Sequence, residues 1–313
     1  MATAIQKYFV SPRVPRVAAG FSGDSFVVAD LRRGRAGFQI ASTAATPLPV
    51  SMLAPSFESA NIQDHEGLRQ LIRQTAEAAG LSSQRRWSVA LPETAARTLI
   101  LALESKPAGR RELEEVIGWK VERAIAAPSS ELRLSRQRMS PAGGQERYLV
   151  TVSRESVISD YEILLEEIGW KAGLVLPRHL AESQWLTWDS TPGDKMLVSV
   201  SNTGFDSMIV RGGEPLLVRS NVCTPDAIAD ELFRVALYYK EKIIGEEISA
   251  HSLSGVLIIG SLDRQEALRA ISDATSSQPQ LIEPDTFGID LRGESIAFDQ
   301  IAAAGGLATM AWQ

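Results

Sequence analysis

The order of elements that opens this chain recurs after residue 195, and that recurrence constrains the fold more than any single motif. RVAAGFSGDSFVVADL (16–31) and RAGFQIAS (35–42) have the texture of strands and flank Arg33-Gly34, so a hairpin is expected there. A helix follows over 64–81. Leu68, Leu71, Ile72, Ala76 and Ala79 stand at helical spacing, Asp64 is a plausible N-cap and Gly80 a stop. RRWSVALPE (85–93) reads as the next strand. The second half repeats this order. MLVSVSNTGFDSMIVRGGEPLLVRS (196–220) reads as two strands joined at Gly212-Gly213, and a helix is expected over 225–244 behind Thr224-Pro225. GVLIIG (255–260) is then a strand and DRQEALRAIS (263–272) a helix. Two copies of one order imply an internal duplication and an α/β fold with two similar lobes.

The block between the copies differs in texture. Residues 109–132 carry an amphipathic helix with Leu113, Val116, Ile117, Val121, Ala124 and Ile125 on one side, closed by Pro128. LRLSRQRMS and QERYLVTVS read as strands around Pro141-Ala142-Gly143-Gly144, and 153–170 as a second helix. Helix, strand, strand, helix suggests a small α+β insertion. The expected division is a first lobe over 1–106, an inserted subdomain over 107–173, and a return helix within 174–194. A second lobe over 195–295 follows, then a terminal helix over 296–313 whose small residues suit close packing.

Composition excludes several functions. A net charge of −6 argues against nucleic-acid binding, which needs clustered Lys and Arg. One cysteine, Cys223, cannot form an intramolecular disulfide and reads as a packing residue. Three histidines and one cysteine offer no zinc-ligand spacing. No apolar run approaches the ~20 residues of a membrane span, and the first twenty residues lack a signal-peptide core, so a soluble protein is expected. No Gly-Lys-Ser/Thr follows the Gly-x-x-Gly of GFSGDSF, and Gly-x-Ser-x-Gly does not occur. His179 reads as a packing or capping residue rather than a base.

Four stretches, taken in order and covering most of the chain, carry a resemblance. They are GFSGDSFVVADL, the block from LPETAARTLILALESK to HLAESQWL, the pair MLVSVSNTGFDSMIVRGGEPLLVRS and GVLIIGSLDRQEALRAIS, and the terminal FDQIAAAGGLATMAW. Together they resemble the actin-like ATPase superfamily and, within it, the PilM-like type IV pilus assembly proteins related to FtsA. The resemblance implies an actin-like, ribonuclease H-like duplicated α/β fold of two lobes with an inserted α+β subdomain. It also implies two phosphate hairpins and an adenosine-side strand–turn–helix.

Residue by residue, the chemistry of those hairpins is altered. In the superfamily, glycines bring backbone N–H groups to a phosphate and an aspartate holds the magnesium shell. Here Gly20 stands at the first aspartate position and Ser22 at its glycine, while Ser199 and Ser201 stand at the corresponding positions of the second hairpin. The adenosine-side turn reads Gly260-Ser261. The degenerate remnant of a nucleotide site is therefore assigned to Ser22, Gly23, Asp24, Ser199, Ser201, Asn202, Thr203, Glu231, Gly260 and Ser261. Asp24 and Asp206 read as solvated turn aspartates. No catalytic residue, metal ligand or required cofactor is assigned, and residual Mg-ATP binding is the alternative.

The expectation that follows is a non-catalytic scaffold of the type IV pilus inner-membrane platform, cytoplasmic and peripheral to that membrane. Its implied partner is a PilN-like inner-membrane protein, bound through a cytoplasmic N-terminal segment in a groove between the first lobe and the insert. Trp119, Arg133 and Arg147 are the candidate contacts. The rivals are an active ATPase or kinase of the same superfamily and a component resembling GspL of type II secretion.

Overall fold

A computed structural model describes residues 14–35, 37–244, 252–291 and 295–313, so the proline-punctuated start before residue 14 lies outside the described residues. The duplication is visible in two sheets of the same order. In the first half, β1 (Val17–Ser22), β2 (Ser25–Arg33) and β3 (Phe38–Pro47) form an antiparallel meander. Helix α1 (His65–Ala78) leads from it into β4 (Arg86–Leu91), which pairs parallel to β1. The carboxylate of Asp64 caps that helix by accepting from the Gly67 backbone. In the second half, β9 (Asp194–Ser201), β10 (Gly204–Arg211) and β11 (Glu214–Val222) repeat the meander. Helix α5 (Ile228–Tyr238) then leads to β12 (Leu253–Ile259), parallel to β9. Strand order is β3-β2-β1-β4-β8 in one sheet, with β8 (Lys171–Pro177) last, and β11-β10-β9-β12-β13 in the other, with β13 (Gln280–Leu281) last. A short β14 (Ile289–Asp290) extends the first sheet by pairing with β3, so part of the expected second lobe joins the first.

Each expected hairpin is in fact a three-stranded meander. The runs 16–31 and 196–211, read as single strands, fold back at Gly23-Asp24 and at Asn202-Thr203. The turns are invisible to periodicity because β1 and β9 are buried on both faces along nearly their whole length. With no alternation to interrupt, a two-residue turn leaves little trace.

The insert is also drawn differently. β5 (Arg97–Leu103), unassigned in the sequence reading, forms a three-stranded sheet with β7 (Gln145–Arg154) and β6 (Leu132–Ala142), in the order β5-β7-β6. Helix α2 (Arg110–Ile125) covers that sheet with Ile117, Val121 and Ile125 against Leu103, Tyr148, Val150 and Val152. Helix α3 (Glu155–Glu167) does not belong to this unit. Val157, Ile158, Tyr161, Leu164 and Leu165 bury themselves with Phe21, Leu68, Ile72 and Trp87 of the first lobe. Trp170, just beyond, stacks on Trp87 with centroids 3.7 Å apart. The insert therefore spans 97–154 rather than 107–173.

Two helices join the halves. α4 (Arg178–Ser183), continued by the 3-10 turn Gln184–Trp188, and α7 (Phe298–Thr309) lie in one core that takes Ala18, Val27 and Ala90 from the first lobe and Leu197, Met208 and Leu257 from the second. Their approach is close. A Cβ on Gly306 would sit 2.1 Å from the Ala181 carbonyl oxygen, and the Trp185 indole donates to the Ala302 carbonyl at 2.8 Å. Gly306→Ala should therefore destabilise the protein by about 3 kcal/mol or more, because backbone cannot give way as a side chain can. The control is Gly118→Ala on α2, where a Cβ meets nothing within 4 Å; it should be neutral or gain up to about 1 kcal/mol. Urea unfolding of both variants checks the contrast, and equal effects would contradict this packing.

Candidate functional site

Of the residues assigned to a nucleotide remnant, Ser22 and Gly260 adjoin Asp299 at the start of α7, Ser199 is buried, and Asp24, Asn202, Thr203 and Ser261 are exposed. Gly20, on β1, faces the interior: a Cβ there would lie 3.1 Å from Ala90 Cβ and 3.4 Å from the Ala304 backbone nitrogen. The tight neighbour is Ala90 on β4, while α7 stands at ordinary van der Waals distance. The Ser22 hydroxyl donates to the Asp299 carbonyl at 2.9 Å, tying the first turn to the helix. Gly23 and Asp24 are exposed at the tip, and the Asp24 carbonyl accepts from Leu48. In the second meander, Asn202 and Thr203 form the exposed turn. The Ser201 hydroxyl braces it, accepting from the Thr203 backbone and donating to the Gly204 carbonyl, both at 3.3 Å. The Gly260 backbone, at φ +101°, passes so near β9 that a Cβ would stand 2.9 Å from the Val200 carbonyl oxygen, and Ser261 beyond it is exposed. Glu231 is set to the side, accepting from the Asn221 amide at 3.2 Å and paired with Arg234.

Between these turns runs a buried polar seam that sequence reading missed. Arg178, only 2% exposed, donates through Nε to Glu182 at 2.7 Å and stands 3.5 Å from Glu93 at the end of β4. His179, equally buried, places Nε2 2.9 Å from the Thr98 hydroxyl on β5 and Nδ1 3.2 Å from the Asp206 carboxylate on β10. One helix thus reaches the first lobe, the insert and the second lobe with adjacent side chains. Asp206, read as a solvated turn residue, is buried opposite Ser199 in the β9–β10 register. The signal in the sequence was the Arg178/Glu182 spacing of four in the PRHLAESQW helix.

Burial sets the electrostatics of the seam. It pushes the Glu182 carboxyl above its ordinary value, against the opposing pull of Arg178 and the Ser199 hydroxyl. Burial acts the same way on Asp206 but is outweighed by His179, Ser220 and Arg178, so that carboxyl is held low. Arg178 keeps its charge because Glu182 and Glu93 more than offset its desolvation. These residues do not fit a magnesium-bound nucleotide. Neither Gly20 nor Ser199 supplies a carboxylate, and the buried charges of Arg178 and Glu182 are paired with each other. Among the described residues no group of His, Cys, Asp and Glu is arranged to hold a metal ion.

A second concavity lies between the first lobe and the insert. It is a groove of about 430 Å³ with an apolar floor of Leu149, Leu174, Leu176, Leu180, Met208 and Met310. Five consecutive residues of β6, Ser135–Met139, line it. Side chains alternate across a strand, so this places the edge of β6, the last strand of its sheet, along the groove. Of the expected contacts, none lines it. Trp119 is 57% exposed on α2 with Arg123 over its ring, and Arg133 is held by Glu155 and Glu162 of α3. Arg147 is nearest, donating to the carbonyl of Pro215, which does line the groove.

No protein-family model matches the chain, and no curated protein matches it in sequence. Solved structures do. The chain is similar to the PilM–PilN type IV pilus biogenesis complex at a TM-score of 0.71 and 17% identity, covering 96% of this chain and 100% of that one. It is also similar to a Bacteroides thetaiotaomicron protein of actin-like ATPase fold and unknown function, at a TM-score of 0.52, 13% identity and coverage of 97% and 99%. The class is thereby defined: this is an actin-like fold, duplicated and two-lobed, with an inserted α+β unit. No helix among the described residues is long and apolar enough to cross a membrane.

The pH dependence of the seam follows from Asp206. Its folded pKa lies below its unfolded value, so its stabilising contribution is complete above the ordinary carboxylate range. That contribution is lost as pH falls from about 4 through the folded value. Asp206→Asn should flatten the loss of stability on acidification below about pH 4, measured by urea midpoints across pH. An unchanged acid limb would show that Asp206 is not held low.

Proposed function

We propose that this chain is a non-catalytic scaffold of a type IV pilus inner-membrane assembly, and that its groove binds the cytoplasmic N-terminal segment of a PilN-like membrane protein. The observation that carries this reading is the groove itself. It offers an unpaired strand edge beside an apolar floor, which is what an extended peptide needs to add its backbone to a sheet and bury alternate side chains. The likeness to a PilM–PilN complex over the whole chain supports it. Leu176 and Leu180 both line the floor, and they replace Trp119 as the contacts expected to matter most.

The test is a titration with a synthetic peptide of the N-terminal segment of a PilN-like protein from the same organism. Leu180→Ala or Leu176→Ala should weaken binding by about 2 kcal/mol. Trp119→Ala should leave it unchanged, and Arg147→Ala should act weakly and mostly at low salt. Loss of binding in Trp119→Ala with none in the leucine variants would move the interface to α2.

The non-catalytic part of the proposal rests on the absence of a carboxylate at Gly20 and Ser199 and on the internal pair Arg178–Glu182. Under single-turnover conditions with Mg-ATP, no phosphate release above buffer is expected. Turnover abolished by Asp206→Asn would overturn it in favour of an ATPase with a displaced acidic group.

A further inference from the structure

The groove has a third wall, and it comes from the second lobe. Met208 and Val210 of β10 join the floor, while Gly213, Glu214 and Pro215 close one side. Gly212-Gly213 is a tight turn, with φ +56° and +83°, so the β10–β11 tip is a stiff element rather than a loose loop. This tip is fastened to the insert. The Glu214 carboxylate accepts from the Ser140 backbone N–H at 3.1 Å and from the Ser140 hydroxyl at 2.7 Å, and Arg147 donates to the Pro215 carbonyl at 3.2 Å. Ser140 stands next to Met139, the last of the β6 residues along the groove.

From this arrangement we propose that the β10–β11 tip is a strap across the groove, clasped to the insert by Glu214 and Ser140, and that the clasp opens to admit or release a bound segment. The inference rests on the reading that the groove takes an extended peptide. An occupant lying along β6 at residues 135–139 passes beside Ser140 and the clasp, between walls that belong to different parts of the molecule. Entry therefore requires either threading from one end or release of the β10–β11 tip from the insert. Release of the tip breaks only bonds that are exposed or half-buried, while the insert stays joined to the second lobe through β5 and β11 and through the buried Thr98–His179–Asp206 link. The clasp acts on rates: opening precedes association and also precedes release, so removing it should speed both.

Two variants and two readouts test this. Glu214→Ala removes the acceptor, and Ser140→Asp sets a like charge against Glu214; both lie on the surface and should fold. In the free protein, amide exchange at 135–141 and 208–215 should rise in both variants. With the same PilN-like peptide as probe, stopped-flow association and dissociation rates should each increase about tenfold, the equivalent of one charge-assisted contact, leaving affinity nearly unchanged. Unchanged exchange and unchanged rates would overturn the strap. If no peptide bound even to the unmodified protein, the exchange measurement would still decide for or against the clasp, and only the peptide reading would fall.

Discussion

The close crossing of α4 and α7 is the contact on which the rest of the molecule depends. Each sheet is a meander with a parallel extension, and neither has a covered inner face without the two helices lying between them. Space there is so short that α7 can pass only where its side chains vanish, at Gly305 and Gly306, and where they are reduced to methyl groups at Ala302, Ala303 and Ala304. Space is short at Gly20 too. A Cβ there would press on Ala90 of β4 at 3.1 Å and touch Ala304 and Ala303 of α7 at 3.4 and 3.5 Å.

The polar seam along α4 is a different kind of constraint. A buried arginine–glutamate pair is weak evidence of net stabilisation, because desolvation of two charges offsets most of their attraction. Its consequence is orientation. Arg178 is tied to Glu93 on one side and His179 to Thr98 and Asp206 on the others, so sliding either lobe or the insert leaves a buried charge or polar group without its partner. The lobes are held in register by the protein's own charges.

Much of this was legible in the sequence, and the failures have physical causes. Helices with a clear apolar stripe and a cap were placed within a few residues: α1 behind Asp64, α6 (Arg264–Thr275) behind Asp263, and α7 through its run of small residues. Strands buried on both faces were found but not their turns, because Ser22-Gly23-Asp24 and Asn202-Thr203 interrupt no alternation. α3 was assigned to the insert on adjacency alone. Amphipathicity says that a face is buried, not against what, and the partner surface was α1 and β4, far away in the chain. Asp206 was misread for the same reason: neighbours in sequence suggested a turn, and the residues that bury it come from α4 and β9.

The groove could not have been read from any local pattern, since it is assembled by topology. An insert of three strands necessarily ends in two edges, and an edge left uncovered invites another strand. β5 turns its side toward β11 of the second lobe, which leaves β6 as the edge toward the first lobe. The return of the chain through α3 into β8 then sets Leu174 and Leu176 across from that edge, and α4 adds Leu180 below. An apolar floor at this place does not arise from surplus hydrophobicity in the insert, whose own core is closed by α2. It arises because the first lobe's last strand and its returning helix meet a sheet that cannot pair with them. The groove thus lies at the junction the insertion created, with one wall from the insert and most of its floor from the lobes.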